Sequence, residues 1–162
     1  NWKTLRDYKM QVVGKKSDKI KVIARNKRAE YLYTIFDKWE AGIVLSGAEV
    51  KGVREGKIAF KDSYVEPINN ELYIVGLHIS PVNTLLKIDP DRKRKLLLHR
   101  REINKIIGRI TEKGYTVIPL SIYIKNNLVK VQIGLAKGKR KYDKKEKIKQ
   151  RDLDREMRIL KW

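Results

Sequence analysis

The sequence predicts a mainly β protein, an antiparallel sheet or small barrel with helices inserted between its strands and a basic tail at its C-terminal end. Three observations carry this. From Lys19 onward, short runs of β-branched and aromatic residues alternate with polar turns, a spacing that favours an antiparallel sheet over a βαβ fold. Two Asn-Asn pairs each separate two such runs, and Asn tolerates the positive φ that a two-residue hairpin turn needs. After Ala136 the composition changes abruptly to Lys and Arg.

Taken in order, residues 1–18 are charged and without sustained period, and read as a flexible arm; residues 19–136 form the folded domain; residues 137–162 form the tail. Asn26 to Tyr31 holds good helix formers and predicts a third, weaker helix, a run too short to stand alone. Tyr33, Ile35, Trp39, Ala41, Ile43 and Leu45 fall on alternate positions, interrupted at Asp37, which predicts one long strand bent near Gly42. Ser46 with Glu49 three residues on forms a capping box for a short helix over Ser46 to Arg54, and Gly56 follows as its terminator. Asn69-Asn70 joins a run ending at Ile68 to a run over Leu72 to Ile79. Leu96, Ile103, Ile106, Ile107 and Ile110 fit the apolar stripe of a helix from about Lys95 to Lys113, closed by Gly114. Asn126-Asn127 turns the last hairpin, in which Ile118, Leu120, Ile122 and Ile124 are expected to face Val129, Val131, Ile133 and Leu135. The tail carries 12 basic against 5 acidic residues, and its excess lies before Asp152. Ile148, Leu153, Met157 and Leu160 give it a thin apolar stripe, so it is expected to be disordered alone and helical when bound.

Composition narrows the chemistry. The 162 residues carry 39 Lys plus Arg against 19 Asp plus Glu, a formal charge of +20, and 41% hydrophobic residues suffice for a real core. Such a balance favours a polyanionic partner, nucleic acid first and an acidic membrane surface on charge alone. Without cysteine there are no disulfides, thiolate nucleophiles or cysteine-held metals. With only His78 and His99, an all-histidine metal site is excluded as well. No run approaches the roughly 20 apolar residues of a membrane span, and the first residues lack a signal-peptide apolar core, so a soluble cytoplasmic protein is expected.

Catalytic signatures are weak. The stretches Gly52 to Lys57 and Gly134 to Lys139 resemble a phosphate loop but have three residues between their glycines instead of four, and Ile58 and Arg140 stand where Ser or Thr must hold magnesium. Nothing in the pattern brings Ser46 or Ser80 to either histidine. Glu40 lies on the opposite parity from Trp39 and Ala41: it is either an ordinary solvated residue or a carboxylate that orients a basic RNA-binding residue or accepts from a base amino group. Basic clusters at Arg25, Lys27 and Arg28, at Arg92, Lys93, Arg94 and Lys95, and at Lys137, Lys139, Arg140 and Lys141, with Tyr31, Tyr33, Tyr115 and Tyr123 nearby, suit an electrostatic groove with stacking aromatics.

The stretches KVIARNKRAEYLY, EAGIVLSGAEVKGVREGK, DSY, HISP, RKLLLHRREI, GYTVIPLSIYIKN and VQIGLAKGKRKYDKKEKIKQRD closely resemble the SmpB family, the tmRNA-binding proteins of bacterial trans-translation. The resemblance runs from about Lys19 to the C-terminus, with the motifs in family order. It implies an oligonucleotide-binding-like antiparallel β-barrel, one face of which binds the tRNA-like domain of tmRNA. Asn26, Lys27, Arg28, Tyr33 and Glu40 match family positions on that surface, with Lys130 in support and Lys93 and Arg94 added from the basic cluster. It further implies a tail that enters the decoding centre and empty mRNA channel of a stalled ribosome. The matching residues run from Lys137, Gly138, Lys139 and Arg140 through Tyr142, Asp143, Lys144 and Lys145 to Ile148, Lys149 and Arg151. Many relatives have Arg where Lys145 stands and His where Tyr142 stands, so a bidentate contact gives way to a point charge. The implied partners are tmRNA, the ribosome and elongation factor Tu through alanyl-tmRNA; a monomer is expected, with no cofactor, metal or catalytic residue. Two other classes fit the composition: a general RNA chaperone or ribosomal protein, and an RNA-modifying enzyme using Glu40 or His78 as base.

Overall fold

The computed structural model describes residues 19–139; the expected N-terminal arm and all of the tail beyond Lys139 lie outside them. Among the described residues nine strands and three helices follow in the order β1 (Ile20–Arg25), α1 (Lys27–Leu32), β2 (Tyr33–Ile43), α2 (Gly47–Arg54), β3 (Ile58–Ala59), β4 (Tyr64–Ile68), β5 (Glu71–Val75), β6 (His78–Ile79), β7 (Arg94–Leu97), α3 (Arg100–Ile110), β8 (Thr116–Lys125) and β9 (Leu128–Gly138). Seven strands form one antiparallel sheet in the order β1-β8-β9-β2-β7-β5-β4, and β3 pairs with β6. β4 also packs against β8 across the core, which curls the sheet into an open, oligonucleotide-binding-like barrel without hydrogen bonds around the full circle.

Both Asn-Asn turns form as expected. Asn69 and Asn70 have φ of 50° and 61°, and Asn126 and Asn127 have 51° and 67°, the left-handed pair that matches the twist of the flanking strands. The Ser46–Glu49 capping box is present, with Gly56 at φ 74° just beyond α2.

Three expectations are corrected. Leu96, placed on the helical stripe, is buried in β7, and α3 begins only at Arg100; Leu96 pairs with Ile43 across the sheet, and His99 caps the helix, its N–H donating to Glu102 Oε1 at 3.3 Å. β2 stops at Ile43, and its irregularity lies at Phe36, not Gly42, because Ile35 and Asp37 face the adjacent residues Ala136 and Leu135. The last hairpin keeps the expected pairing only near its turn, with Ile124 opposite Val129 and Ile122 opposite Val131. A bulge at Leu120 then shifts the register, so Ile118 lies opposite Gly134 and Pro119 opposite Ile133.

These two bulges create two cores. Trp39, Ala41, Ile122, Val131, Ile133 and Leu135 point inward to Leu72, Ile74, Leu77, Leu96, Ile103 and Ile106. Past the bulges, Ile35, Ile118, Leu120 and Ala136 lie on the opposite, outer side, where Ala29 of α1 and Tyr33 cover them. A bulge changes which side of the strand a given parity faces. α1 therefore sits on the outer face and α3 on the inner one, and among the described residues nothing covers the rest of the outer face of β1-β8-β9-β2.

Candidate nucleic-acid interface

On that uncovered face the strand pairing sets residues in rows. Ile20, Lys125 and Leu128 form one; Val22, Tyr123, Lys130 and Gly42 the next; Arg25, Ser121, Gln132 and Glu40 the third. Residues directly opposite across antiparallel strands share a face, so the sequence positions 20 to 132 converge on one surface by register alone. Glu40 is engaged at both oxygens. The Tyr123 hydroxyl donates to Oε2, and Lys125 Nζ lies 3.4 Å from Oε1. Burial and then the adjoining Glu40 carboxylate push the Tyr123 phenol upward, so it stays a donor throughout the physiological range. Glu40 thus holds a tyrosine and a lysine beside Lys130 and is not a solitary solvated carboxylate.

α1 presents the next cations at the edge of this face. Lys27 and Arg28 are exposed in its first turn, and Arg28 Nη1 lies 3.3 Å from Asp62 Oδ1. Asn26 holds them there. Its Oδ1 accepts from the Ala29 N–H at 3.2 Å, its Nδ2 donates to the Pro119 carbonyl at 2.9 Å, and its own N–H donates to the Leu120 carbonyl at 2.8 Å. The side chain is buried and straddles the β8 bulge, so its chemistry is positional. Tyr33 is half-buried against the outer core.

The basic cluster after Asp91 divides. Lys93 is exposed, 3.4 Å from Glu66. Arg94, expected at the RNA surface, is 0% exposed and is removed from it. Its Nε donates to Glu49 at 2.6 Å, Nη1 to the Leu77 carbonyl at 2.7 Å and Nη2 to the Pro90 carbonyl at 2.9 Å. Arg92 closes over the same carboxylate at 2.6 Å. The group is a buried fastening of α2 to the loop before β7. Alternation across β7 makes one of two neighbouring cations face inward, and only the pairing shows which.

At the far end of β9, Lys137 is half-buried and Gly138 is exposed. Lys139 follows, its N–H donating to the Leu32 carbonyl at 2.9 Å and its Nζ to the Glu30 carbonyl at 3.0 Å. Arg140, Tyr142, Asp143, Lys144, Lys145, Ile148, Lys149 and Arg151 lie outside the described residues.

One constellation was invisible in the sequence. Ser80 Oγ lies 3.2 Å from His78 Nε2, and His78 Nδ1 lies 2.9 Å from Asp91 Oδ1, whose carboxyl the His78 contact holds below its usual range. His78 opens β6 and Ser80 follows its end, and a loop of unsignalled shape returns Asp91 to them.

A family model described as SmpB protein matches residues 23–161. The SsrA-binding protein of Halothermothrix orenii is 50% identical over 143 residues, 87% of this chain and 92% of its own. Those of Persephonella marina and Aquifex aeolicus are each 52% identical, over 140 and 145 residues, covering 85% and 88% of this chain and 92% of their own. A chain from the solved structure described as "tmRNA-SmpB: a journey to the center of the bacterial ribosome" is 42% identical and superposes with a TM-score of 0.64, covering 77% of this chain and 93% of that one. With a family match across most of its length, relatives near half identity and the same curled sheet, the chain belongs to the SmpB family.

Proposed function

We propose that this protein binds the tRNA-like domain of tmRNA and brings it to stalled ribosomes, where the tail occupies the decoding centre and mRNA channel and lets trans-translation tag and release the nascent chain. The observation that carries the reading is the uncovered outer face, where Glu40 holds Tyr123 and Lys125 next to Lys130, with Lys27 and Arg28 at its border. Structured RNA is read through phosphates and 2′-hydroxyls, for which such a face supplies cations and two acceptors, the Glu40 carboxylate and the Tyr123 phenol oxygen whose hydrogen is given to Glu40. The relatives named as SsrA-binding proteins and the neighbour from a tmRNA-SmpB ribosome structure support it. Lys93 is the outlying cation of the RNA surface, Asn26 and Tyr33 support it from beneath, and the tail from Lys137 to Arg151 meets the ribosome. Elongation factor Tu is the partner through alanyl-tmRNA, and the cytoplasm is the place of action.

The role is delivery without chemistry. Ser80, His78 and Asp91 have the reach of a nucleophile, a base and its orienter. However, the Ser80 N–H is engaged by the Lys57 carbonyl and the Ile79 N–H by the Pro90 carbonyl, each at 3.0 Å, so neither can steady an oxyanion. We assign the three side chains to fastening β6 to the loop before β7.

Binding to the isolated tRNA-like domain, measured across salt concentrations with an elongator tRNA as competitor, tests the proposal. Retained preference for the tRNA-like domain at elevated salt is expected. Equal, steeply salt-sensitive binding to both RNAs would reduce the protein to a polycation and favour the RNA-chaperone reading.

A further inference from the structure

A second surface lies on the other side of the sheet. Lys137 pairs with Thr34 and alternates with Ala136, so its side chain leaves β9 on the inner side, the side of α3 and away from Glu40. There its Nζ stands 4.3 Å from the centre of the Tyr115 ring, while the Arg109 guanidinium of α3 stands 5.0 Å from the same centre. A single ring thus holds two cations together. Phe36 packs edge-to-face on Tyr115, with ring centres 5.6 Å apart at 78°, and remains 54% exposed. It is the extra residue of the β2 bulge, freed from the alternation that buries Trp39 and Ala41. Lys105 adds a cation 4.0 Å from Asp37, the residue next to Phe36.

An exposed ring of fixed orientation, bordered by cations held at known positions, has the composition of a platform for an unpaired base with its flanking phosphates. Resting on the function proposed above, which gives the outer face to tmRNA and the tail to the ribosome, we propose that Phe36 stacks on an unpaired base of the small-subunit ribosomal RNA, with Lys137 and Arg109 receiving the neighbouring phosphates. The site's position selects this RNA: it faces away from the Glu40 surface and adjoins the end of β9, from which the basic tail continues.

The test uses the full chain and the variants Phe36→Ala, Phe36→Leu and Phe36→Trp, with two probes: purified bacterial small ribosomal subunits and the transcribed tRNA-like domain. Because the ring is exposed on a bulge, all four proteins should melt together. The expected result is about tenfold weaker subunit binding for Ala and Leu, with Trp near the starting affinity, since stacking needs a π-face. Affinity for the tRNA-like domain should stay constant. Recovery by Leu as well as by Trp would overturn the proposal in favour of apolar contact with a ribosomal protein. Loss on the tRNA-like domain would instead place Phe36 in the tmRNA interface, and unchanged subunit binding in Phe36→Ala would leave the ring without this role. Failure of the unsubstituted chain to prefer the tRNA-like domain would sink the proposed function separately, leaving the Phe36 comparison on subunits to stand or fall alone.

Discussion

Glu49 serves the fold twice, as the capping carboxylate of α2 and as the acceptor for two arginines. It takes the Ser46 N–H at 2.9 Å and both Arg92 and Arg94 at 2.6 Å while fully buried. Burial alone would raise its pKa, but the Arg92 contact, the Ser46 amide and Arg94 together outweigh it and bring the value to about 2 from 4.5. A carboxyl depressed in the folded state contributes stability that is complete above its unfolded pKa and disappears as pH falls through its folded one. The Glu49 contribution, up to about 3 kcal/mol, should therefore be lost between pH 4.5 and about 2. Urea midpoints against pH will show this, and Glu49→Gln should flatten the acid limb relative to the unsubstituted protein. At neutral pH that variant leaves Arg94 buried without its counter-charge, so a loss of about 3–5 kcal/mol is expected. The capping box was legible in the sequence because it is local. The Arg92 and Arg94 partnership was not: the contacts bridge 43 and 45 residues, and a basic run reads as solvated until pairing shows which side chains turn inward.

Local chemistry also decides which elements could be read in advance. The two Asn-Asn turns and α2 carry their signals within a few residues, and each formed where expected. The start of α3 did not, since Leu96 satisfies the helical stripe and the strand equally until β7 finds Ile43. Bulges at Phe36 and Leu120 leave no mark in composition, yet they determine which apolar residues lie beneath α1 and so where Lys27 and Arg28 project. Packing between α2 and β6 offers a sharp test at this scale. A Cβ on Gly52 would lie 2.1 Å from the Ser80 carbonyl oxygen, backbone that cannot rotate away, whereas one on Gly47 meets nothing within 4 Å. Gly52→Ala should cost about 3 kcal/mol by forcing helix and strand apart. Gly47→Ala, in the first turn of the same helix, should be neutral or stabilise by about 0.5 kcal/mol. Denaturant midpoints of the two variants measure the difference; similar losses would mean that α2 does not seat on β6 so closely.

At the scale of the molecule, the sheet separates two faces of one polycation and the chain continues past its end. The outer face gathers Glu40, Tyr123, Lys125 and Lys130, while the inner side is closed by α3, and β9 belongs to both. Residues 140–162 add 10 basic and 5 acidic side chains beyond the last strand. If the domain recognises tmRNA by shape and the tail acts in the ribosome, a cut between them should separate the two activities. Such a cut belongs after Lys139, whose N–H still closes on the Leu32 carbonyl, so that every β9 pairing survives. The shortened chain should melt like the full one and bind the tRNA-like domain within about threefold of it at moderate salt, because a basic segment outside the recognition surface contributes mainly a screened, sequence-independent attraction. Peptidyl transfer to alanyl-tmRNA on ribosomes stalled without a codon should nevertheless be abolished. Retained transfer would place the ribosomal role in the folded domain, whereas a tRNA-like-domain affinity that collapses with the tail would mean that the outer face of the sheet does not by itself recognise the RNA.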